Sequence, residues 1–190
     1  MGSGGGITGV GRRAVFLDRD GVLNRAFVRD GKPYPPATLD DFEVLPGVPE
    51  ALARLRAAGF LLLGATNQPD VARGAQRREV VEAMNSRLMY QLPLDEILVC
   101  YEDGPDCPRR KPNPGMLLEA AAKYGVNLAD SFMVGDRWRD VEAGRRAGCR
   151  TVFVDYAYRE KTPENPPDCV VDSLAAAADW ILGQRRQKGS

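Results

Sequence analysis

Five apolar runs of only four or five residues, each parted from the next by a stretch of helical periodicity, leave this chain few folds to choose from. The runs are Ala14–Leu17, 60–63, Glu96–Cys100, 131–134 and Arg150–Val154. They are too short for buried helices and apolar on both faces, which is the pattern of strands inside a parallel sheet. Between them, 46–58 places Val48, Leu52 and Leu55 at helical spacing before Gly59, and 76–91 does the same with Val80, Met84 and Leu88. Further helices are expected at Gly115–Tyr124 and at 139–147, the latter ended by Gly148. Cys169–Val171 offers a short sixth strand and 174–182 a closing helix. Strands alternating with helices predict an α/β fold, a doubly wound, Rossmann-like and mostly parallel sheet of five to six strands with helices on both faces. A chain of 190 residues fills one ordinary domain. That domain is expected over 13–184, with flexible tails at 1–12 and 185–190. Residues 21–45, interrupted by Gly31, Pro33, Pro35 and Pro36, read as a loop excursion too short for a large cap domain.

Composition removes whole classes of function. Lys and Arg number 26 and so do Asp and Glu, so no bulk positive field marks a nucleic-acid partner. No apolar run reaches the length of a membrane span, and the Gly-rich N-terminus has no hydrophobic signal core. The expectation is a cytoplasmic monomer with no membrane or nucleic-acid partner. Most restrictive is the absence of histidine. Ser-His-Asp and Cys-His catalysis and all His-ligated metal catalysis are excluded, and proton transfer falls to Asp, Glu, Lys, Tyr or Cys. The four cysteines, Cys100, Cys107, Cys149 and Cys169, are expected to be reduced.

The chemistry lies just beyond the carboxyl end of each strand. After the first come Asp18, Arg19, Asp20 and Gly21; after the second, Thr66, Asn67 and Gln68. Beyond the third comes Lys111 between Arg110 and Pro112, and after the fourth come Gly135, Asp136, Arg137 and Asp140. In a doubly wound sheet these segments converge on the carboxyl edge, where such folds bind ligands. Asp18 and Asp20 are two apart, so on extended chain both face one pocket. One carboxylate can attack phosphorus, and the other can protonate the leaving oxygen and then take a proton from water. Crowded carboxylates call for a cation, and all-oxygen ligation suits Mg²⁺. Lys111 and the Thr66 hydroxyl would steady the charge on the phosphoryl oxygens. At i and i+4, Asp136 and Asp140 also suit capping of the helix beginning near residue 139.

The segments 16–24, 66–68, 110–116 and 133–140, in this order, resemble the haloacid dehalogenase superfamily of phosphatases. Within it, Leu-Asp-Arg-Asp-Gly, Thr-Asn-Gln, Ala72-Arg73-Gly74 and Arg-Lys-Pro-Asn-Pro-Gly-Met are similar to the D-glycero-D-manno-heptose 1,7-bisphosphate 7-phosphatase branch, which also holds histidinol-phosphate phosphatases. The resemblance implies Asp18 as nucleophile, Asp20 as acid and base, and Mg²⁺ on Asp18, the Asp20 backbone carbonyl and Asp136. It implies that Asn67, Gln68, Arg110 and Arg137 touch a phosphorylated sugar, and that Asp140 orients Lys111 or a metal-bound water.

Two places depart from the family. Relatives carry a zinc loop patterned Cys-x-His and Cys-x-Cys; here Cys100 and Cys107 remain, but Glu102 and Arg109 stand at the other two positions. Two thiolates do not close a tetrahedral site, so zinc is not expected. Pro69 stands where serine is usual after Thr-Asn-Gln, which removes a backbone donor. Histidinol phosphate or another small phosphate monoester stays open as substrate. So does a non-catalytic module that accepts a phosphoryl group or binds sugar phosphate, although a pure phospho-acceptor has no need of an acid at Asp20.

Overall fold

The computed structural model describes residues 11–187; the expected tails fall largely outside them. Arg12 is already tied in, since its carbonyl accepts from Asn127 N at 2.8 Å and its N–H donates to Gly125 O at 2.9 Å. The elements run β1 (Ala14–Leu17), β2 (Phe27–Arg29), β3 (Lys32–Tyr34), α1 (Val48–Ala57), β4 (Leu61–Asn67), α2 (Arg78–Gln91), β5 (Glu96–Cys100), α3 (Gly115–Tyr124), β6 (Phe132–Gly135), α4 (Trp138–Ala147), β7 (Arg150–Val154), β8 (Cys169–Val171) and α5 (Leu174–Gln187). Six strands form one parallel sheet in the order β5-β4-β1-β6-β7-β8. The chain builds outward from β1 through β4 to β5, then returns to the other side of β1 and builds outward again. The strand order therefore reverses at β1, and the carboxyl ends of β1, β4 and β6 meet around that reversal.

Alternation along each strand makes two cores. Val15, Leu17, Leu62 and Val134 face Leu52 and Leu55 of α1, Met84 and Leu88 of α2 and Ile181 of α5. Ala14, Phe16, Leu61, Leu63 and Met133 face Met116, Leu117 and Ala120 of α3 and Ala147 of α4. A period of two on strands covered on both sides gives this division. Among the described residues no helix is long and apolar enough to cross a membrane.

The structure departs from the sequence reading in three places. Residues 21–45 hold a small antiparallel hairpin of β2 and β3, with Arg29 opposite Lys32. Asp30 and Gly31 at its tip have φ of 51° and 77°. Positive φ at both central residues is what a type I′ hairpin turn demands, and Asp-Gly supplies it. The second strand does not stop at residue 63 but runs on to Asn67, pairing Thr66 with Val99 and Asn67 with Cys100. The small pair Gly64 and Ala65 hides that continuation, and it matters because it carries Thr66 and Asn67 into the site on rigid sheet. On α2 the buried stripe is Val81, Met84 and Leu88, with Val80 only flanking it. The hairpin is the largest insertion between β1 and α1, and the described residues hold no cap domain.

Leu62 is fully buried in the middle of the sheet. Leu62→Ala is expected to cost about 2–5 kcal/mol through lost burial and residual cavity. Urea unfolding should show this as a lower midpoint with an unchanged slope; a loss below about 1 kcal/mol would mean that this side of the core refills.

Candidate active site

Asp18 leaves the end of β1 with its N–H bonded to Val134 O at 2.9 Å, so the sheet ladder fixes its backbone. The chain then turns tightly: Leu23 N and Asn24 N both reach Arg19 O, at 2.9 and 3.0 Å. Gly21, at φ 94°, allows the turn and something more. A Cβ there would stand 2.0 Å from Asp136 Oδ2, so only glycine lets the β1 and β6 ends approach this closely. Gly135 serves likewise, since a Cβ on it would stand 2.0 Å from Asp140 Cβ.

Lys111 lies buried at the centre. Its Nζ donates to Asp18 Oδ1, to Asp140 Oδ1 and to Ala65 O, each at 2.6 Å. Asn67 fixes the backbone of this lysine from both sides: its Nδ2 donates to Lys111 O at 2.9 Å and its Oδ1 accepts from Lys111 N at 3.0 Å. Asp140, third residue of α4, accepts from Arg137 N at 3.0 Å while holding Lys111. It is a helix cap and a site residue at once.

Asp20 accepts from four nitrogens of three side chains. Arg19 Nη2 lies 2.9 Å from each of its oxygens with Nε at 3.3 Å, Asn24 Nδ2 is at 2.9 Å and Gln68 Nε2 at 2.8 Å. Gln68 also donates to Thr66 Oγ1 at 2.9 Å. The sequence reading missed Arg19 and Asn24. A lone arginine at a strand end reads as solvated, but this one is fully buried, and its Nη1 reaches Asn85 of α2 at 3.2 Å.

Asp136 differs from every other charged group here. It is buried, and neither carboxylate oxygen makes a hydrogen bond of good geometry, although the Tyr158 hydroxyl is near enough to favour its charged form. Burial, reinforced by the charges of Asp18 and Asp140, pushes its pKa well above the carboxylate range. Burial also lifts Asp18, to about 6, against the pull of Lys111 and with Asp140 and Asp20 adding to the rise. Burial works against the charge on Lys111, but Asp140 and Asp18 outweigh it and hold the ammonium above its ordinary range. Ligand atoms of Asp18, Asp136 and Asp140 lie within 4.8 Å of one another, so these residues could hold a metal ion. The donor set is all oxygen, and the two orphaned oxygens of Asp136 are what a cation would satisfy.

Above this floor opens a cleft of about 260 Å³, lined by Asp18, Asp20, Thr66, Asn67, Gln68, Arg110, Lys111, Arg137 and Asp140 together with Lys32 to Pro35 of the hairpin, Arg73, Arg139 and Glu160. The site residues expected from sequence thus share one cavity, with Asp136 sealed beneath it. Arg110 is paired with Asp103 at 2.9 Å, and Arg137 with Glu160, its Nε 2.9 Å from Oε2. Cys100 and Cys107 also meet, with 3.7 Å between sulfurs, and burial pushes the Cys100 thiol up to about 11. Arg109, at the place of a family zinc ligand, instead pairs with Glu119 at 3.2 Å.

A parallel sheet whose strand order reverses, with a buried Asp-Lys-Asp cluster at the switch point facing a small cleft, is the arrangement expected of a phosphoric monoester hydrolase. Comparison with known proteins agrees. The HAD-hydrolase-like family model matches residues 108–177. The D-glycero-beta-D-manno-heptose-1,7-bisphosphate 7-phosphatase of Pseudomonas aeruginosa is 39% identical over 181 residues, covering 90% of this chain and 98% of the relative. The D-glycero-D-manno-heptose-1,7-bisphosphate 7-phosphatase of Thermosynechococcus vestitus is 34% identical over 197 residues, at 90% and 95%. The crystal structure of D,D-heptose 1,7-bisphosphate phosphatase from B. bronchiseptica, complexed with magnesium and phosphate, superposes with a TM-score of 0.71 at 33% identity, covering 90% of this chain and 99% of that one. The chain belongs to the HAD-like hydrolases, as a phosphatase related to the heptose-bisphosphate phosphatases.

The buried cluster sets two expected outcomes. Lys111→Met strands the Asp18 and Asp140 carboxylates and is expected to cost about 3–5 kcal/mol in urea unfolding. Adding Asp18→Asn should return part of that loss, whereas strict additivity of the two changes would show the pair to be uncoupled. Asp136→Asn removes a buried carboxyl that is costly to ionise, so the cation-free protein should melt higher than wild type at alkaline pH, with the gain shrinking as the pH falls and the carboxyl is protonated. The same variant should lose the upward shift that a divalent cation gives wild type, about 2.7 kcal/mol at a concentration 100 times its Kd. An undiminished shift would place the ion elsewhere.

Proposed function

We propose that this protein is a Mg²⁺-dependent sugar-phosphate phosphatase that works through an aspartyl-phosphate, and that its substrate is the 7-phosphate of D-glycero-D-manno-heptose 1,7-bisphosphate. The observation that carries the reading is the make-up of the cleft: Asp18, Asp20 and Lys111 at the floor and arginines around the rim. Its size admits a small molecule and excludes a folded partner. The names and coverage of the relatives support the heptose assignment. Four free thiols suit a reducing, cytoplasmic setting.

Asp18 attacks phosphorus, so the Asp18–phosphorus bond forms as the bond to the sugar oxygen breaks. Asp20 delivers a proton to that leaving oxygen. In the second half Asp20 takes a proton from a water, whose oxygen bonds to phosphorus as the Asp18–phosphorus bond breaks, releasing phosphate and restoring Asp18. Lys111, its bond to Asp18 passing to a phosphoryl oxygen, and the Thr66 hydroxyl hold the equatorial oxygens, while Asp140 and Asn67 hold Lys111. Arg19, Asn24 and Gln68 keep the Asp20 carboxyl aimed beside Asp18. Asp18, the Asp20 carbonyl and Asp136 would hold Mg²⁺, which supplies positive charge against the carboxylates and the phosphoryl oxygens.

Phosphate release with Mg²⁺ from a panel of sugar phosphates tests this. The panel includes both anomers of heptose 1,7-bisphosphate and histidinol phosphate, with Asp18→Asn as control. Heptose bisphosphate should be preferred by at least tenfold in kcat/KM, and Asp18→Asn should abolish turnover. Equal, slow release from every substrate would leave the phosphatase chemistry standing and remove the heptose assignment. Turnover that survives Asp18→Asn would remove the aspartyl-phosphate.

A further inference from the structure

Asp20 stands on a turn, beyond the sheet ladder that fixes Asp18, so its aim depends on what reaches it from elsewhere. Of the three side chains that bond it, Asn24 belongs to the same turn and moves with it. Gln68, just past β4, is one tie to the body of the protein. The other tie is indirect. Arg19 grips the carboxylate with Nη2 at 2.9 Å from both oxygens and Nε at 3.3 Å from one. Such a pair swings as a unit unless the rigid guanidinium is itself anchored. Among the described residues, its one hydrogen bond beyond Asp20 runs from Nη1 to Asn85 Oδ1, at 3.2 Å.

Asn85 is a firm anchor. It lies in the middle of α2, beside Met84 and three residues before Leu88, both fully buried in one of the two cores. A close-packed core holds the helix, and with it the position of Oδ1. Arg19 is fully buried, so losing this acceptor would leave a donor unpaired away from water. Asparagine is a poor helix former, so α2 by itself gives no reason for one at its centre. Nor does substrate: Asn85 is absent from the lining of the cleft and borders a separate hollow beside β5, with Glu82, Met89 and Tyr101.

We propose that Asn85 is a positioning residue for proton transfer, holding the Asp20 carboxyl on the leaving oxygen through Arg19 while touching neither substrate nor the reacting atoms. The assignment rests on the phosphatase reading, in which Asp20 protonates the sugar oxygen. An acid must come within about 2.6–3.2 Å of the atom it protonates, and small misplacements cost rate. The effect is confined to leaving groups that need the proton. With every substrate the Asp18–phosphorus bond forms as the bond to the leaving oxygen breaks. A sugar alkoxide is too basic to depart as an anion, so a proton must pass to it from Asp20. Nitrophenolate and acetate depart as anions and take none.

The test is kcat/KM, which reports formation of the aspartyl-phosphate, for wild type, Asn85→Ala, Asn85→Asp and Asp20→Asn with Mg²⁺. The substrates are the sugar phosphate that the panel turns over best, 4-nitrophenyl phosphate and acetyl phosphate. Alanine keeps α2 helical, which a thermal melt checks. In Asn85→Ala the value for the sugar phosphate should fall about 10-fold, part of what a general acid supplies, while the two activated phosphates stay within about twofold. Asn85→Asp keeps an acceptor for Arg19 and should restore most of the loss. Asp20→Asn should show the same contrast, enlarged. An equal fall on all three substrates in Asn85→Ala is what a merely structural role gives, and it overturns the assignment, as does no fall at all. If Asp20→Asn shows the contrast and Asn85→Ala does not, the role of Asn85 fails and Asp20 stands as the acid. If Asp20→Asn slows all three substrates alike, the acid reading fails and the role of Asn85 fails with it.

Discussion

Three buried carboxylates crowded around one lysine set the terms for everything else in this structure. Asp18, Asp136 and Asp140 lie within 4.8 Å of one another, and Lys111 neutralises only one charge among them. Fully ionised, the cluster carries three negative charges against one positive, leaving two uncompensated. No low-dielectric interior tolerates that without protonation or a cation. The raised pKa values of Asp18 and Asp136 are the protein's answer when no ion is bound. A divalent cation is the other answer, and it matches the deficit in charge. Lys111 is spoken for on three sides, so the deficit falls on Asp136, whose oxygens have no partner. Burying such a cluster is unfavourable for folding, and the two large apolar cores on either side of the sheet are what carry that cost.

The topology explains how residues so far apart in sequence are brought to one place. Asp18, Thr66 and Asp136 each sit at the end of a strand, and those three strands are neighbours because the sheet order reverses at β1. Lys111 comes from a loop, the less rigid source, and it receives the most support. Asn67, on β4, bonds its backbone at both N–H and carbonyl, and two carboxylates and a carbonyl hold its ammonium. Asp20 is on a turn as well and is likewise held by three side chains. The residues that carry the chemistry are fixed by residues that do not.

Asp18, Thr66 and Asp136 were legible from sequence because they stand at strand ends, and strands announce themselves by apolar runs. Asp20, Lys111 and Asp140 follow on a turn, a loop and the start of a helix, and the structure brings them to the same edge of the sheet. Arg19 was not legible, since nothing in a charged residue between two aspartates says that it is fully buried against α2. Asn67 and Gln68, expected to touch substrate, line the cleft, and their side chains also bond the Lys111 backbone and Asp20; a strand read as ending at residue 63 could not show that Asn67 lies on sheet beside Lys111. The hairpin did leave a signal: Asp30-Gly31 between Phe27–Arg29 and Lys32–Tyr34 is a two-residue turn with the right residues. The surrounding prolines concealed it. Glu160 left none, because its partner is settled only by tertiary structure.

The same split separates what this chain shares with its family from what it does not. The departures seen in sequence, Glu102, Arg109 and Pro69, all belong to the walls of the cleft or the loop behind them, and none to the floor. Where relatives carry a zinc loop, this chain sets Asp103 between two arginines: Arg73 at 2.7 and 2.6 Å and Arg110 at 2.9 Å. Across the cleft one short segment ties the opposite wall. Tyr156 hydroxyl donates to Gly21 O at 3.0 Å, Arg159 N donates to Gly31 O at 2.7 Å, and Glu160 clamps Arg137. A Cβ at Gly31 would stand 2.6 Å from Arg159 Cγ, so the hairpin and this segment are fitted to each other. With no cap domain among the described residues, these two walls border the cleft, and both are built from ion pairs and backbone bonds. Such contacts are individually weak and independent of the sheet. They lie apart from the buried Asp-Lys-Asp floor, so a change in either wall leaves the geometry of that floor in place.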